Sequence, residues 1–259
     1  MIKNIGSLLD TRQPPRTISC DTHGPYTSTH YFGAIWSKCP ECERPKAAQV
    51  QAQAAAQERA DALAAWQQRI GDSGIPERFQ DRTLKNYVAE TPEQKKALAF
   101  ATAYADGFDE VLRTGRSALF IGHIGTGKTH LAAGIGLRLM HRDCRTVLFM
   151  TVKRAIRRVK DTWSRSSRET ESEAVAALAS PDLLILDEVG VQFGSETERQ
   201  ILFDVINERY EKRKPTLMLS NLPLDEVQEY LGERIFDRLR EGGGQSIPFD
   251  WESWRGRVA

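Results

Sequence analysis

Over the last two thirds of the chain, short apolar runs alternate with longer stretches whose apolar residues recur at helical spacing. Residues 117–121, 146–151, 215–220 and 246–249, and the apolar run inside 181–190, have the length and composition of buried strands. Helical patterns fill the intervals at 91–105, 130–140, 152–163, 169–179, 196–212, 224–231 and 234–240. The first of these helices carries Thr91 as its N-cap and Pro92 in its first turn, where a missing N–H costs nothing. Strand and helix in alternation predict a parallel sheet wrapped by helices, an α/β fold without internal repeats.

The front of the chain is patterned differently. Residues 45–70 are rich in Ala and Gln, with Val50, Leu63 and Trp66 as the main bulky apolar positions. Ala and Gln favour helix, but so thin an apolar face does not make a core element. This stretch reads as a helical spacer or a partner-binding arm. Gly71-Asp72-Ser73-Gly74 ends it, and Ile75-Pro76 opens the next domain. The expected division is a small module at 1–45, a connector at 46–73 and the α/β domain at 74–259.

Composition narrows the class. With 259 residues, 40% hydrophobic and 27% charged, the chain can bury a full core. No apolar run approaches the ~20 residues of a membrane span, and residues 1–10 lack the charged-then-apolar design of a signal peptide. A cytoplasmic protein with no membrane partner is expected. The net charge of +1 gives the whole molecule no bias toward nucleic acid, so any such bias is local.

Residues 122–129, Gly-His-Ile-Gly-Thr-Gly-Lys-Thr, are a complete G-x-x-x-x-G-K-[ST] phosphate-binding loop between a strand pattern and a helix pattern. Such a loop turns backbone N–H groups toward a polyphosphate. The expected nucleotide set is Gly122, Gly125, Thr126, Gly127, Lys128, Thr129 and His130, with Lys128 on the β/γ-phosphates of ATP and the Thr129 hydroxyl on Mg²⁺. The run at 181–190 ends in Asp187-Glu188. Ligands of open α/β sheets gather at the carboxyl ends of strands. Asp187 is therefore placed to hold Mg²⁺, directly or through water, and Glu188 to activate an attacking water.

Cys20-x₂-His23 and, fifteen residues on, Cys39-x₂-Cys42 form two short knuckles with the spacing of a Cys₃His zinc ribbon. Structural Zn²⁺ is expected there, with His30 as an alternative to His23. Tyr26, Tyr31, Phe32 and Trp36 are the candidates for a small core beside it. Cys144 stands alone near a strand start.

Further signals bear on the class. Asn221 ends the 215–220 strand pattern and either caps it or, if that strand neighbours the Asp187 strand, bonds the attacking water or the γ-phosphate, the sensor position of AAA+ ATPases. The arginine-rich helix at 234–240 is either a solvated face or the source of an arginine finger. Under forty residues follow Asn221, too few for a separate helical lid domain. From Arg138 to Arg168 ten Lys/Arg face two acidic residues, Asp143 and Asp161. Within 152–163 an apolar stripe (Val152, Ala155, Ile156, Val159, Trp163) leaves Lys153, Arg154, Arg157, Arg158 and Lys160 outside it, a face suited to the phosphates of single-stranded DNA.

Several motifs are much more specific than the loop: Ile75-Pro76-Glu77-Arg78-Phe79, Gly232-Glu233-Arg234 with Asp237-Arg238, and Trp251-Glu252-Ser253-Trp254-Arg255. On these the chain, over about 180 residues, resembles the DnaC-type bacterial helicase loaders and their phage relatives. The resemblance implies an AAA+ core in which Lys128 and Thr129 bind ATP and Mg²⁺ and Asp187 and Glu188 form the hydrolytic pair. It further implies Asn221 as sensor, Arg238 as a finger acting on the next subunit, and Arg255 as a second sensor. The implied partners are a hexameric replicative DNA helicase, single-stranded DNA and further copies of the chain in an ATP-dependent arc, with slow hydrolysis stimulated by DNA. The Cys/His module differs from the enterobacterial loader's helical front end and looks more like the helicase-docking zinc modules of phage and Gram-positive loaders. An IstB-type transposition helper shares the ATPase core and is the nearest alternative; a small-molecule P-loop kinase is a more distant one.

Overall fold

A computed structural model describes residues 13–191 and 195–255; residues 1–10, read above for a leader, lie outside the described residues. The chain forms two compact units, residues 1–65 and 66–259.

In the first unit, strands β1 (Arg16–Cys20) and β2 (Gly24–Ser28) form one antiparallel hairpin, and β3 (His30–Phe32) and β4 (Ile35–Trp36) a second. Helix α1 then runs over Pro40–Ser73 and begins five residues before the expected 45. The reason is local. The Cys39 carbonyl accepts from the Cys42 and Glu43 N–H groups, both at 3.1 Å, so the second knuckle turns straight into helix, with Pro40 at its first position. The expected aromatic core does not form: Tyr31 and Phe32 are 57% and 67% exposed. Ser28, His30 and Cys39 are the buried residues of the hairpins and second knuckle.

The second unit holds a parallel five-stranded sheet in the order β6-β7-β8-β5-β9. Its strands are β5 (Ala118–Gly122), β6 (Val147–Thr151), β7 (Leu183–Val189), β8 (Thr216–Ser220) and β9 (Gln245–Phe249). Side chains alternate between faces. Phe120, Ile185 and Leu219 enter one core layer with helices α2 (Pro92–Asp106) and α4 (Lys128–Arg142). Leu119, Leu184 and Met218 enter the other with α5 (Val152–Asp161), α6 (Glu171–Ala179) and α7 (Glu196–Glu211). The Thr91 cap forms as expected, reciprocated by Gln94. A seven-residue helix α3 (Phe108–Thr114), too short to show a periodicity, precedes β5. Helices α8 (Leu224–Leu231) and α9 (Glu233–Arg240) follow β8, and the chain re-enters the sheet as β9, so among the described residues there is no separate helical lid.

One polar residue organises the amino ends of β7 and β8. Arg209 of α7 is fully buried, and its guanidinium donates to Thr216 Oγ1 (3.0 Å) and to the carbonyls of Ala179 (3.1 Å), Pro181 (2.9 Å) and Pro215 (2.5 Å). It thereby caps the carbonyl end of α6, the negative end of that helix dipole. Burial pulls its pKa down to about 9, so the guanidinium stays charged at neutral pH.

Candidate nucleotide site and metal centre

The phosphate loop leaves β5 at Gly122 and enters α4 at Lys128. Gly122 (φ +130°) lies against the Phe249 backbone, and a Cβ on Gly127 (φ +97°) would stand only 2.7 Å from Tyr87 Cε2. Both positions require glycine on backbone angle and on space. Lys128 is buried, and its ammonium donates to the Gly122 and His123 carbonyls, each at 2.7 Å. Desolvation lowers its pKa to about 8, Asp187 opposing the shift and Arg255 adding to it.

Thr129 Oγ1 donates to Asp187 Oδ2 at 3.1 Å. Two neighbouring oxygens of an octahedral Mg²⁺ at 2.0–2.1 Å stand roughly 3 Å apart, so this pair fits the ion. Burial raises the Asp187 pKa, while the Glu188 N–H, donating to Oδ1 at 2.7 Å, and the Thr129 hydroxyl oppose it. Glu188 is exposed and has φ +61°, a left-handed angle that costs a residue with a side chain. The strain coincides with a slip in the β7–β8 register between Leu186 and Val189, a bulge that re-aims side chains at the strand end. Ser220 Oγ donates to the Val189 carbonyl (2.7 Å) and accepts from Leu222 N–H (3.1 Å), tying the ends of β7 and β8 together. β8 lies between the Asp187 strand and the phosphate-loop strand, and exposed Asn221 follows its last residue.

Residues from both flanks of the core reach the loop. Tyr87 Oη and Trp251 Nε1 donate to the Thr126 carbonyl at 3.3 and 2.9 Å, and Trp254 N–H donates to the Gly125 carbonyl at 2.9 Å. This brings Arg255, expected as a second sensor, beside Gly125. The His130 ring turns elsewhere. Its Nε2–H donates to Thr83 O (3.0 Å) and Asn86 Oδ1 (3.1 Å), and the ring meets Tyr87 edge-on at 5.2 Å. Sequence reasoning gave Tyr87 and Trp251 no role at the loop, although Trp251 opens the Trp251-to-Arg255 motif, because a bond to a distant backbone carbonyl leaves no local pattern.

Arg238 lies at the other end of the sheet. Its guanidinium stacks over Phe203 (4.8 Å) and Tyr210 (5.3 Å) of α7, Nη1 donates to Arg234 O (3.1 Å), and Nε is buried without a hydrogen-bond partner among the described residues. It borders a cavity of about 450 Å³ with Arg113, Arg213 and Glu241. On α5, Val152, Ala155, Ile156 and Val159 are buried, whereas Trp163 lies beyond the helix end, 51% exposed, its indole donating to Glu171 at 2.7 Å. The expected stripe thus stops one turn early. Of the five expected basic residues, Lys153, Arg154 and Arg157 are exposed, while Arg158 pairs with Glu169 (2.7 Å) and Lys160 with Glu198 (2.8 Å).

The metal-ligand cluster is in the first unit. Ligand atoms of Cys20, His23, Cys39 and Cys42 lie within 4.8 Å of one another. His23 Nδ1 is 3.8 Å from Cys20 Sγ, 3.7 Å from Cys39 Sγ and 3.3 Å from Cys42 Sγ, and the Cys20 and Cys42 sulfurs are 3.6 Å apart. Tetrahedral zinc at ~2.3 Å from sulfur and ~2.0 Å from nitrogen separates its ligands by roughly 3.5–3.8 Å, so the donor set fits zinc in type and spacing. His30 is engaged elsewhere: Nδ1 accepts from Gln13 N–H (3.1 Å), Nε2 donates to Gly33 O (2.8 Å), and the ring packs on Trp36. Backbone N–H groups of Thr22 and His23 lead in lowering the Cys20 thiol to about 6, and its hydrogen bond to Cys20 leads in raising Cys42 to about 11. Cys144 is exposed, 3.4 Å from Arg69 Nη1.

A five-stranded parallel sheet, a phosphate loop at the end of β5 and an acidic pair on β7, one strand removed from it across β8, define an AAA+ P-loop ATPase fold. Residues 110–255 match the model of the family described as IstB-like ATP binding protein. The chain is 37% identical over 204 residues to the replicative helicase loader DnaC of Escherichia coli strain K12, covering 79% of this chain and 81% of that protein. It is 37% identical over 189 residues to DnaC of Buchnera aphidicola subsp. Schizaphis graminum, covering 73% and 75%. A DnaC helicase loader crystal structure superposes with a TM-score of 0.60 at 22% identity, covering 66% of this chain and 98% of that one. The chain belongs to the DnaC-type loaders within the IstB-like ATP-binding family.

Proposed function

We propose that this protein loads a ring-shaped replicative DNA helicase onto single-stranded DNA, with ATP binding and hydrolysis switching assembly and release. The carrying observation is the 37% identity to DnaC across about four fifths of the chain. The Lys128, Thr129 and Asp187 geometry, which suits ATP and Mg²⁺, supports it. In this reading Lys128 holds the β/γ-phosphates, Thr129 and Asp187 the Mg²⁺, Glu188 orients the attacking water, and Asn221 and Arg255 sense the γ-phosphate. Arg238 acts on the ATP of a neighbouring copy in an arc, after leaving the rings of Phe203 and Tyr210. Lys153, Arg154 and Arg157 are the stronger candidates for DNA phosphates, being exposed and in no ion pair among the described residues. Cys20, His23, Cys39 and Cys42 hold a zinc ion that crosslinks the first unit, whose exposed Tyr31, Phe32 and Ile35 suit docking on the helicase. The protein acts in the cytoplasm; no described helix is long and apolar enough to cross a membrane.

The test mixes the full chain with the host's replicative helicase and reads mass and size with ATP, ADP or neither. A complex that survives Lys128→Ala but is lost with Cys39→Ser supports the reading. No complex under any nucleotide, with ATP-dependent filaments on DNA instead, overturns it in favour of a transposition helper.

A further inference from the structure

Two peptide groups of the phosphate loop are held from outside the loop. The Gly125 carbonyl accepts from Trp254 N–H at 2.9 Å. The Thr126 carbonyl accepts from the Trp251 indole at 2.9 Å and from the Tyr87 hydroxyl at 3.3 Å. A trans peptide is planar, so the C=O of one residue and the N–H of the next point in opposite directions. Holding the Gly125 and Thr126 carbonyls toward Tyr87 and the 251–254 segment therefore aims the Thr126 and Gly127 N–H groups away from them. In a phosphate loop, successive N–H groups turned to one side are the anion-binding surface.

The loop needs such an external hold. Gly125 (φ +80°) and Gly127 (φ +97°) occupy angles that a glycine reaches and leaves readily. Within the loop, Thr126 Oγ1 donates to His123 O at 2.8 Å, which fixes the side chain and not the peptide planes. Trp251 is itself anchored. It packs partly buried on the core, its ring 4.8 Å from that of Phe249 at the end of β9. Tyr87 is anchored by His130 of α4, edge-on at 5.2 Å.

We propose that Trp251 and Tyr87 are positioning residues of nucleotide binding: through the Thr126 carbonyl they preset the Gly127 N–H for a phosphate oxygen. This rests on the reading that the loop binds ATP. It gives the segments before α2 and after β9 a part in a site otherwise built by β5, α4 and β7.

The experiment uses the full chain with Trp251→Phe, Tyr87→Phe and the double variant. Each keeps an aromatic ring and deletes one donor. Affinity for Mg·ATP is read by competition with a fluorescent ATP analogue, beside thermal melting of the nucleotide-free protein. One net hydrogen bond corresponds to roughly a 2- to 12-fold effect. Trp251→Phe is expected to weaken ATP about 3- to 10-fold, Tyr87→Phe about 2- to 3-fold, and the pair more than either, with Tm within about 2 °C of the parent. Affinities within twofold of the parent overturn the inference. So does a loss that follows a matching fall in Tm, which assigns the residues to stability alone. If the parent chain binds no ATP, the underlying reading falls and takes this inference with it. Parent binding with unaltered variants sinks only the inference.

Discussion

The buried ammonium of Lys128 makes ATP binding a proton-linked event whose size follows from its pKa. Without nucleotide, desolvation holds the group near 8 although Asp187 pulls it upward. A triphosphate beside it restores and exceeds the ordinary lysine range, because an adjacent anion favours the charged form. At pH 8.5 about three quarters of the free molecules carry a neutral Lys128, so about 0.75 proton is taken up per ATP bound, against about 0.1 at pH 7. ATP affinity is expected to fall about fourfold between pH 7 and 8.5 and about tenfold by pH 9. With Mg²⁺ bound, the terminal phosphate of ATP has lost its last proton below this window, because the cation favours the charged form, and it does not contribute. Titration calorimetry at pH 8.5 in two buffers of different ionisation enthalpy measures the uptake directly. Lys128→Arg, which stays charged, abolishes it. The stability effect has the opposite sign. A folded pKa below the unfolded lysine value means that the unfolded chain keeps the proton longer, so this group adds stability as pH rises from about 8 to 10.5. Uptake below about 0.2 proton at pH 8.5 with affinity flat to pH 9 would refute the reasoning.

Arg209→Met leaves the buried carbonyls of Ala179, Pro181 and Pro215 without a donor and is expected to cost about 3–5 kcal/mol, read as a lower urea midpoint. Arg209→Lys keeps a charge but not the planar fork and recovers only part of that loss. Cys39→Ser, or a strong chelator, is expected to lower zinc from about one per chain to near zero and to open the first unit to protease, with ATP affinity unchanged within about twofold. Metal analysis and limited proteolysis check it. Arg238→Ala is expected to retain ATP binding and lose hydrolysis by about 10³-fold, and mixing it with Glu188→Gln restores turnover if the arginine acts on a neighbour's site. A mixture as inactive as its components contradicts a role in trans.

The parallel sheet was legible because its strands are continuous apolar runs that need no knowledge of their neighbours. The phosphate loop and the two Cys/His knuckles were legible because each sets its chemistry within a few consecutive residues. What escaped depends on distant pairs. The Thr126 carbonyl meets donors 39 residues before it and 125 after it, and a backbone carbonyl leaves no mark in a sequence. Lys160 reads as a free cation until Glu198, 38 residues on, is brought beside it. Arg209 sits in a polar helix pattern and looks like a surface position, yet it is fully buried because the ends of α6, β7 and β8 converge on it. Tyr31 and Phe32 were assigned to a core on hydrophobicity alone, but two short hairpins do not enclose a volume large enough to hold them.

That last failure separates the two units by what stabilises them. The second unit buries two apolar layers, one on each side of its sheet, and stands on burial as ordinary domains do. In the hairpins and second knuckle of the first unit, Ser28, His30 and Cys39 are the buried residues, and if Cys20, His23, Cys39 and Cys42 hold zinc as proposed, a module of this size without an apolar core depends on that ion for its fold. Chelation or oxidation of the thiols therefore acts on the first unit, whereas pH near 8 and loss of Arg209 act on the second. If helicase docking belongs to the first unit and ATP to the second, the two activities part under these treatments. A chelator abolishes docking and leaves nucleotide binding, and alkaline pH weakens nucleotide binding and leaves docking. Loss of both activities to either treatment would mean that one unit needs the other in order to work.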